Sequence, residues 1–221
     1  AHTAMRMDEI EGPIDADSYR IDIDRLDPID RDSSPYLEIE SQIEHWDGGQ
    51  TPLKFRLDGS GEDWKQQIVY TVGHELSGQP DQTIPVFEIS LPGPQGFENA
   101  NGANDRHEND GMSAYRSHLR SLFVKEDTHG RLNGLGTVGK CLSLSQDQPV
   151  ILYLNGIDRV PGRAQSTFFE VLERNPRIQY GIDVEGKAEN LYVFSSTDST
   201  ADREKIDRKL RSLLGATYTR D

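Results

Sequence analysis

Two glycines and two acidic residues follow a short apolar stretch, at a place where a phosphate-binding loop would lead into a helix. Residues 56–63 read RLDGSGED, and Gly59 and Gly61 have the backbone freedom to bring N–H groups close to a phosphate. A phosphate-binding loop continues with a lysine and a hydroxyl residue, whereas this segment has Glu62 and Asp63 there. Because two carboxylates repel a triphosphate, the sequence predicts a tight turn and disfavours nucleotide binding.

A second glycine-rich segment comes later in the chain. Residues 134–141 read GLGTVGKC, which matches the spacing G-x-x-x-x-G-K. The residues before it are polar, with no strand pattern, and few residues separate it from the next apolar run, so we predict a glycine-rich loop without a following helix. An active NTPase or other phosphate-handling enzyme that uses this loop is therefore kept as an alternative.

Metal and thiol chemistry have little support in the sequence. His74 and Glu75 begin a zinc-protease motif, but Gly78 stands where the second histidine would be, so we predict no metal site and no cofactor. The chain has a single cysteine, Cys141, which excludes an internal disulfide and fits a reducing compartment such as the cytoplasm or nucleus. The longest apolar run, residues 149–154, is too short to span a bilayer.

Strand and helix patterns alternate along most of the chain, and this alternation predicts the fold class. It is typical of an α/β layered domain with a mostly parallel sheet, in which ligands bind beyond the carboxyl ends of the strands. The loops after Leu57, Leu154 and Ser195 are therefore the places to look for chemistry. Strands are predicted at 52–57, 83–91, 150–154 and 191–195, and helices at 64–76, 113–124, 165–172 and 202–214.

Negative charge is concentrated near the start of the chain. The formal charge is −14, and residues 1–47 contain 14 acidic residues against four arginines. This asymmetry predicts an acidic N-terminal arm over 1–47, with little contribution to the core, and an α/β domain over 48–221. Alternation at Tyr19, Ile21 and Ile23, and again at Leu37 and Ile39, predicts short edge strands in the arm.

Composition also bears on partners and on one long loop. A chain of net charge −14 is poorly suited to binding a phosphate backbone, so nucleic acid is excluded as a likely class of partner. Residues 92–111 are rich in glycine, asparagine and aspartate and lack periodicity, which predicts a mobile loop. The mean hydropathy of −0.70 agrees with a chain that has solvated segments beside its core.

The order and spacing of residues 149–200 resemble a known family. Over about fifty residues the segment is similar to the Walker B to sensor-1 stretch of Clp-type AAA+ disaggregases and of the related torsins. In that family a hydrophobic strand, a helix, a short hairpin and a second hydrophobic strand follow one another, as they do here from PVILYLNGIDR to LYVFSSTDST. The resemblance places residues 53–76 at the Walker A strand and helix, and implies a P-loop NTPase-like or AAA+-like fold.

The residues that carry catalysis in that family are replaced in this chain. Hydrolysis needs a cation-stabilised phosphate cradle and a carboxylate that positions water, and the resemblance implies that this site has neither. The phrase GTVG at 136–139 is similar to the family's pore loop, with Thr137 in place of the aromatic residue. Gly59 and Gly61 match the Walker A pattern, whereas Glu62 and Asp63 replace its Lys and Thr, Asn155 and Gly156 replace the Walker B Asp and Glu, and Thr197 falls near the sensor-1 Asn.

The resemblance therefore implies an inactive domain that works by contact, similar to the torsin-activating cofactors. Its expected partner is a protein, with an AAA+ ATPase among the candidates, and no catalytic residue is assigned. Those cofactors donate an arginine to a neighbour's nucleotide, which makes Arg159 and Arg163 candidates for partner contact. A third alternative is a structural or assembly protein that reuses the fold, because fold alone does not determine function.

Overall fold

A computed structural model describes residues 5–6, 10–97, 108–165, 177–178, 182–198 and 216–219. Within these ranges the structure has ten strands and five α-helices. The strands are β1 Met5–Arg6, β2 Leu53–Asp58, β3 Val86–Ser90, β4 Val124–Glu126, β5 Leu132–Leu135, β6 Val150–Asn155, β7 Arg177–Ile178, β8 Ile182–Glu185, β9 Leu191–Thr197 and β10 Ala216–Thr219. The helices are α1 Ser34–Glu44, α2 Asp63–Ser77, α3 Glu108–Ser121, α4 Thr137–Ser145 and α5 Gly162–Gln165.

Five parallel strands form the central sheet, in the order β10-β2-β9-β6-β3. The inner strand β6 is buried along its whole length, which explains its continuous apolar run, since layers cover both faces of a parallel sheet. Two smaller sheets complete the described strands. One pairs β4 with β5, and the other has the order β1-β8-β7. The predicted α/β fold with a mostly parallel sheet is confirmed.

Alternate residues of the sheet supply two separate hydrophobic cores. Leu152 and Leu154 of β6 belong to one core, which α3 and α4 cover, whereas Ile151 and Tyr153 belong to the other, which α2 and α1 cover. Because successive side chains of a strand point to opposite faces, the two cores lie on opposite sides of the sheet. The domain therefore has three layers, with the sheet between two layers of helices.

The predicted edge strands of the acidic arm are wrong for Leu37 and Ile39, which lie in helix α1. Tyr36 and Ile39, three residues apart, are fully buried against the core on the α2 side, whereas Leu37 is exposed. The alternation of apolar and charged residues over two positions was too short to distinguish a strand from a helix face. Near Ile21 the strand-like pairing is limited to one bridge, between Asp22 and Gln82.

The arm packs against both cores, contrary to the small contribution expected from its charge. Ile10, Ile14, Ala16 and Tyr19 contact the core on the α3 side, whereas Ile21, Leu26, Ile29 and Ile43 contact the core on the α2 side. The arm passes from one side of the sheet to the other at the edge strand β3, where Tyr19 stacks on Phe87 with a centroid distance of 4.1 Å. Most acidic side chains of the arm are exposed, whereas most of its apolar residues are half-buried or buried. The domain boundary at residue 47 stays a prediction.

Three other predicted segments differ in extent from the structure or lie outside it. Helix α3 begins at Glu108, inside the predicted loop 92–111, of which residues 98–107 lie outside the described ranges. The predicted helix at 202–214 and most of that at 165–172 also lie outside them. No helix in the described part of the chain is long and apolar enough to cross a membrane.

Candidate functional site

The carboxyl ends of β2, β3, β6 and β9 meet in one place, which we call the carboxyl edge. The strand register sets Asp58 beside Thr197 and Asn155 between Ser90 and Ser196. The sequence-predicted positions at the turn after β2, at the end of β6 and at the end of β9 are therefore brought together. The parallel sheet is what assembles them, because residues far apart in sequence end at the same edge.

The turn after β2 is shorter than a phosphate-binding loop. Strand β2 ends at Asp58 and helix α2 begins at Asp63, so only four residues join them. Gly59 and Gly61 both have positive φ angles, of 132° and 86°, which favour glycine. Trp64 closes the turn by donating from Nε1 to the carbonyl of Ser60 at 2.9 Å. The carboxylate of Asp63 lies in the first turn of α2, where it complements the helix dipole in place of a phosphate.

The most informative residue of the carboxyl edge, Lys65, is one that the sequence analysis missed. Its side chain is fully buried, and Nζ donates to the carbonyl of Gly59 at 2.9 Å and to the carbonyl of Thr197 at 2.8 Å. Lys65 follows Gly59 by six residues, the spacing between the first glycine and the lysine of G-x-x-x-x-G-K. That spacing was the available signal, and Trp64 in place of the second glycine hid it.

Carboxylates, some buried and some exposed, lie near Lys65. Burial lowers the pKa of Lys65, and the nearby carboxylates of Asp198, Glu62, Asp158 and Asp58 oppose that shift. Asp58, itself fully buried, accepts a hydrogen bond of 2.6 Å from Thr197 Oγ1 and forms an ion pair of 3.2 Å with Arg56. The ammonium group is therefore part of an internal polar network at the place where a phosphate would need it.

The positions that match the Walker B carboxylates have no charge. Asn155 accepts a hydrogen bond of 2.9 Å from Ser196 Oγ, and the Gly156 N–H donates to both the carbonyl and Oγ of Ser196 at 3.1 Å. Gly156 has a φ angle of 84°, so the chain turns sharply at the end of β6. Asp158 follows two residues later and is largely buried. The end of β6 thus presents an amide and a glycine at the two positions that the resemblance matches to the Walker B carboxylates.

Arg159 joins several ends of the sheet through its guanidinium group. It forms two hydrogen bonds with Asp198, at 3.2 and 3.1 Å, and one with Glu62 at 3.2 Å. Longer contacts of 3.4 Å reach Ser90 Oγ and the Leu91 carbonyl at the end of β3. The hydrogen bond and charge of Asp198 raise the pKa of Arg159. A guanidinium thus bridges the turn after β2 and the end of β9.

Arg159 packs directly over Gly156, whose positive φ angle of 84° is what favours glycine there. A Cβ atom at residue 156 would lie 2.7–2.9 Å from three atoms of the guanidinium group. Arg163, the other candidate for partner contact, lies in α5, and its side chain is outside the described part of the structure. Arg159 is therefore held within its own chain, and contact with a partner would require it to exchange Asp198 and Glu62 for new groups.

The second glycine-rich segment is not the loop that we predicted. Residues 132–135 form strand β5, and helix α4 begins at Thr137, so the resemblance of 136–139 to a pore loop falls largely on a helix. The N–H groups of Gly136 and Val138 donate to the carbonyls of Phe123 and Leu122, both at 2.8 Å. A Cβ atom at Gly136 would overlap the backbone of residues 121 and 122. These glycines allow two backbone segments to approach closely, and the N–H groups of Gly136 and Val138 have protein acceptors.

Cys141 and the histidines provide no second centre in the described structure. Cys141 is fully buried in α4, and burial raises the pKa of its thiol well above the ordinary value of 9.0, which makes it a poor nucleophile. Among the described residues there is no group of three or more His, Cys, Asp or Glu side chains that could hold a metal ion. The carboxyl edge is therefore the candidate functional site.

Comparison with solved structures gives the class of fold. A complex of Hsp104 from S. cerevisiae with casein matches with a TM-score of 0.54 and 9% identity, over 84% of this chain and 32% of that chain. Hsp104 with ATPγS and FITC casein matches with a TM-score of 0.53, 8% identity, 84% of this chain and 31% of that chain. NtrX from Brucella abortus matches with a TM-score of 0.51, 14% identity, 85% of this chain and 36% of that chain.

These neighbours support an AAA+, P-loop-like fold, because Hsp104 is an AAA+ ATPase and the matches extend over most of this chain. The chain spans about a third of the length of these neighbours. No protein-family model matches the sequence, and no curated protein matches it. At this level of identity the neighbours establish the fold, and the function has to be argued from the site.

Proposed function

We propose that this chain is a non-hydrolysing AAA+-like domain that acts by binding a partner protein. The observation that carries the proposal is the position of Lys65, whose ammonium group donates to two backbone carbonyls at the carboxyl edge. A lysine in that arrangement has two of its three donors occupied by the protein. Phosphate would have to compete with both carbonyls for them, in a site that already contains several carboxylates.

The rest of the carboxyl edge supports the same proposal. Phosphoryl transfer depends on cations around the phosphates and on a residue that positions water. Here Glu62 and Asp63 add negative charge at the start of α2, and Asn155 and Gly156 supply no carboxylate at the end of β6. Among the described cations of the edge, Arg56 is paired with Asp58, and Arg159 is bonded to Asp198 and Glu62. The fold is retained, whereas the groups that would drive hydrolysis are replaced or occupied.

The alternative of an active NTPase with an unorthodox glycine loop has weaker support. This alternative requires the N–H groups of residues 134–141 to bind phosphate. The N–H groups of Gly136 and Val138 already donate to carbonyls of the segment that follows α3. A structural or assembly protein that reuses the fold agrees equally well with a binding role. Such a protein would differ from a domain that regulates its partner only in what the partner does.

A nucleotide titration of the whole chain tests the proposal. We expect the melting temperature to stay unchanged as ATP with magnesium is added at micromolar concentrations, because a ligand stabilises a fold only when it binds the folded state. A matched series with magnesium chloride alone controls for ionic strength. Saturable stabilisation by ATP that disappears in the Lys65→Met variant would contradict the proposal, since it would assign Lys65 to phosphate binding.

The regulatory form of the proposal names an AAA+ ATPase as the partner and Arg159 or Arg163 as the contact. An arginine that acts on a neighbour's phosphate contributes roughly 10³-fold or more to turnover, whereas an exposed ion pair contributes about 0–1 kcal/mol. We expect Arg159→Ala or Arg163→Ala to abolish stimulation of the partner's hydrolysis, and Asp198→Asn to increase it if Arg159 is the contact. Stimulation that survives both arginine substitutions would leave only the binding role.

A further inference from the structure

A small groove separates the acidic arm from helix α2 and lies outside the carboxyl edge. Its volume is about 270 Å³, which suits one or two side chains better than a nucleotide or a folded domain. Ile23 is also one of only two large apolar side chains that the structure records as exposed among the described residues. The apolar walls come from Ile23, Leu26, Pro28 and Ile29 of the arm, and the floor from Thr71 and His74 of α2.

The arm is joined to α2 at two points beside the groove, and Ile29 between them contacts the core on the α2 side. The Asp27 N–H donates to Gln67 Oε1 at 2.8 Å, and Arg31 pairs with Glu75 at 3.0 Å. Gln67 and Glu75 are eight residues apart, about 12 Å along the helix. Thr71, between them, donates its hydroxyl to the Gln67 carbonyl at 2.7 Å, so its polar group is satisfied within the helix. The groove is therefore held at both ends, and its lining combines four apolar side chains with the polar residues Asp27, Arg31, Thr71 and His74.

The arm segment that lines the groove is acidic, since residues 22–32 contain five aspartates and two arginines. The two arginines leave this segment with a net charge of −3, and Arg31, which also lines the groove, is paired with Glu75 at 3.0 Å. An apolar centre with a charged rim is the usual anatomy of a protein interface. The exposed aspartates of this arm segment are Asp22, Asp24, Asp27, Asp30 and Asp32.

We propose that this groove binds a basic segment of a partner protein, in which lysines or arginines flank an apolar side chain. Charge complementarity selects this occupant, since the aspartates attract cationic side chains while Ile23 and Ile29 receive the apolar one. A second copy of this chain would bring the same net charge of −14 and is repelled. The inference goes beyond the proposed function, because it does not depend on whether the carboxyl edge binds a nucleotide.

Fluorescence anisotropy with labelled peptides and the whole chain tests the proposal. The probe is a short peptide of alternating lysine and leucine, compared with lysine–glycine and glutamate–leucine peptides of equal length. We expect saturable binding of the lysine–leucine peptide that weakens with salt, binding of the lysine–glycine peptide at least about tenfold weaker, and no binding of the glutamate–leucine peptide. Equal affinity for the two lysine peptides would overturn the proposal, since it would indicate unspecific charge attraction.

Variants localise the binding. Asp24→Lys with Asp27→Lys should weaken the lysine–leucine complex about tenfold or more, and the matched control, Glu44→Lys with Asp47→Lys, changes the net charge equally outside the groove. Ile23→Ser should reduce affinity for the lysine–leucine peptide and leave the lysine–glycine peptide unaffected. Melting curves establish that each variant is folded. Equal weakening by the control pair, or no effect of Ile23→Ser, would assign the binding elsewhere and overturn the proposal.

Discussion

Lys65 keeps its ammonium group inside the protein, with the carbonyls of Gly59 and Thr197 as acceptors. Lys65→Met preserves much of the side-chain length and removes the donors, so both buried carbonyls lose a partner. A buried polar group left without its partner costs about 1–3 kcal/mol, so we expect the free energy of unfolding to fall by about 2–4 kcal/mol. Urea denaturation measures it. Lys125→Met, at an exposed lysine of β4, is the control, and equal small effects of the two substitutions would contradict the prediction.

The same residue predicts a dependence on pH. Because burial lowers the pKa of Lys65 from 10.5 in the folded state, the unfolded chain binds this proton more tightly. Between the folded pKa and 10.5, the contribution of Lys65 to the free energy of unfolding therefore rises with pH, and it is lost again as the pH falls through the folded value. The difference between wild type and Lys65→Met should grow over this range in urea denaturation. A constant difference would be the contrary result.

At the scale of elements, substitution of Gly139 tests whether the glycines around α4 are needed for close packing. A Cβ atom there would overlap the carbonyl oxygen of Phe123, so the start of α4 or the end of α3 would have to shift. We expect Gly139→Ala to lower the free energy of unfolding by about 2–3 kcal/mol, in the range of overpacked cores. Gly134→Ala is the matched control, since its Cβ would meet only Lys125 at 4.0 Å. Comparable stability of the two variants in urea would contradict the assignment.

The arm is the second element whose role is testable. Ile10, Ile14 and Ala16 contact the core on the α3 side, and Glu11 accepts a hydrogen bond from the Leu135 N–H at 3.1 Å. Deleting residues 1–17 should therefore cost about 2 kcal/mol and lower the melting temperature by about 4–8 °C, contrary to what the charge of the arm alone indicated. Deleting residues 1–4, which leaves strand β1 in place, is the control. An unchanged melting temperature after the longer deletion would mean that these contacts contribute nothing.

At the scale of the whole molecule, the net charge of −14 should make stability sensitive to salt. Ten of the acidic side chains of residues 10–47 are exposed, and their mutual repulsion is screened as the Debye length falls from about 30 Å at 0.01 M to about 8 Å at 0.15 M ionic strength. We expect the melting temperature at pH 7 to rise over this range. Near pH 5, close to the isoelectric point of about 4.8, the rise should largely vanish. A fall with salt at pH 7 would mean that ion pairs such as Arg159–Asp198 dominate.

Much of the fold was predictable because its signal is local. The apolar run of β6 indicates a strand buried on both faces, and the helical spacing from Trp64 to Leu76 indicates α2, both of which the structure confirms. The meeting of Asp58, Asn155 and Thr197 was also predictable, because carboxyl ends of parallel strands lie at one edge. The resemblance over residues 149–200 pointed to the AAA+-like fold that the structural neighbours support.

Only the tertiary structure decided where particular groups bond. Periodicity specifies the face of an element and not its partner. The hydrogen bond of 2.8 Å from Lys65 Nζ to the Thr197 carbonyl therefore followed only from the position of β9 in the folded domain. Arg159 met Asp198 and Glu62 for the same reason, since the three residues come from different strand ends. In the arm, Tyr36 and Ile39 form a helix because burial against the core outweighs a two-residue alternation. Contacts between residues far apart in sequence determine these arrangements, and a local sequence pattern does not contain that information.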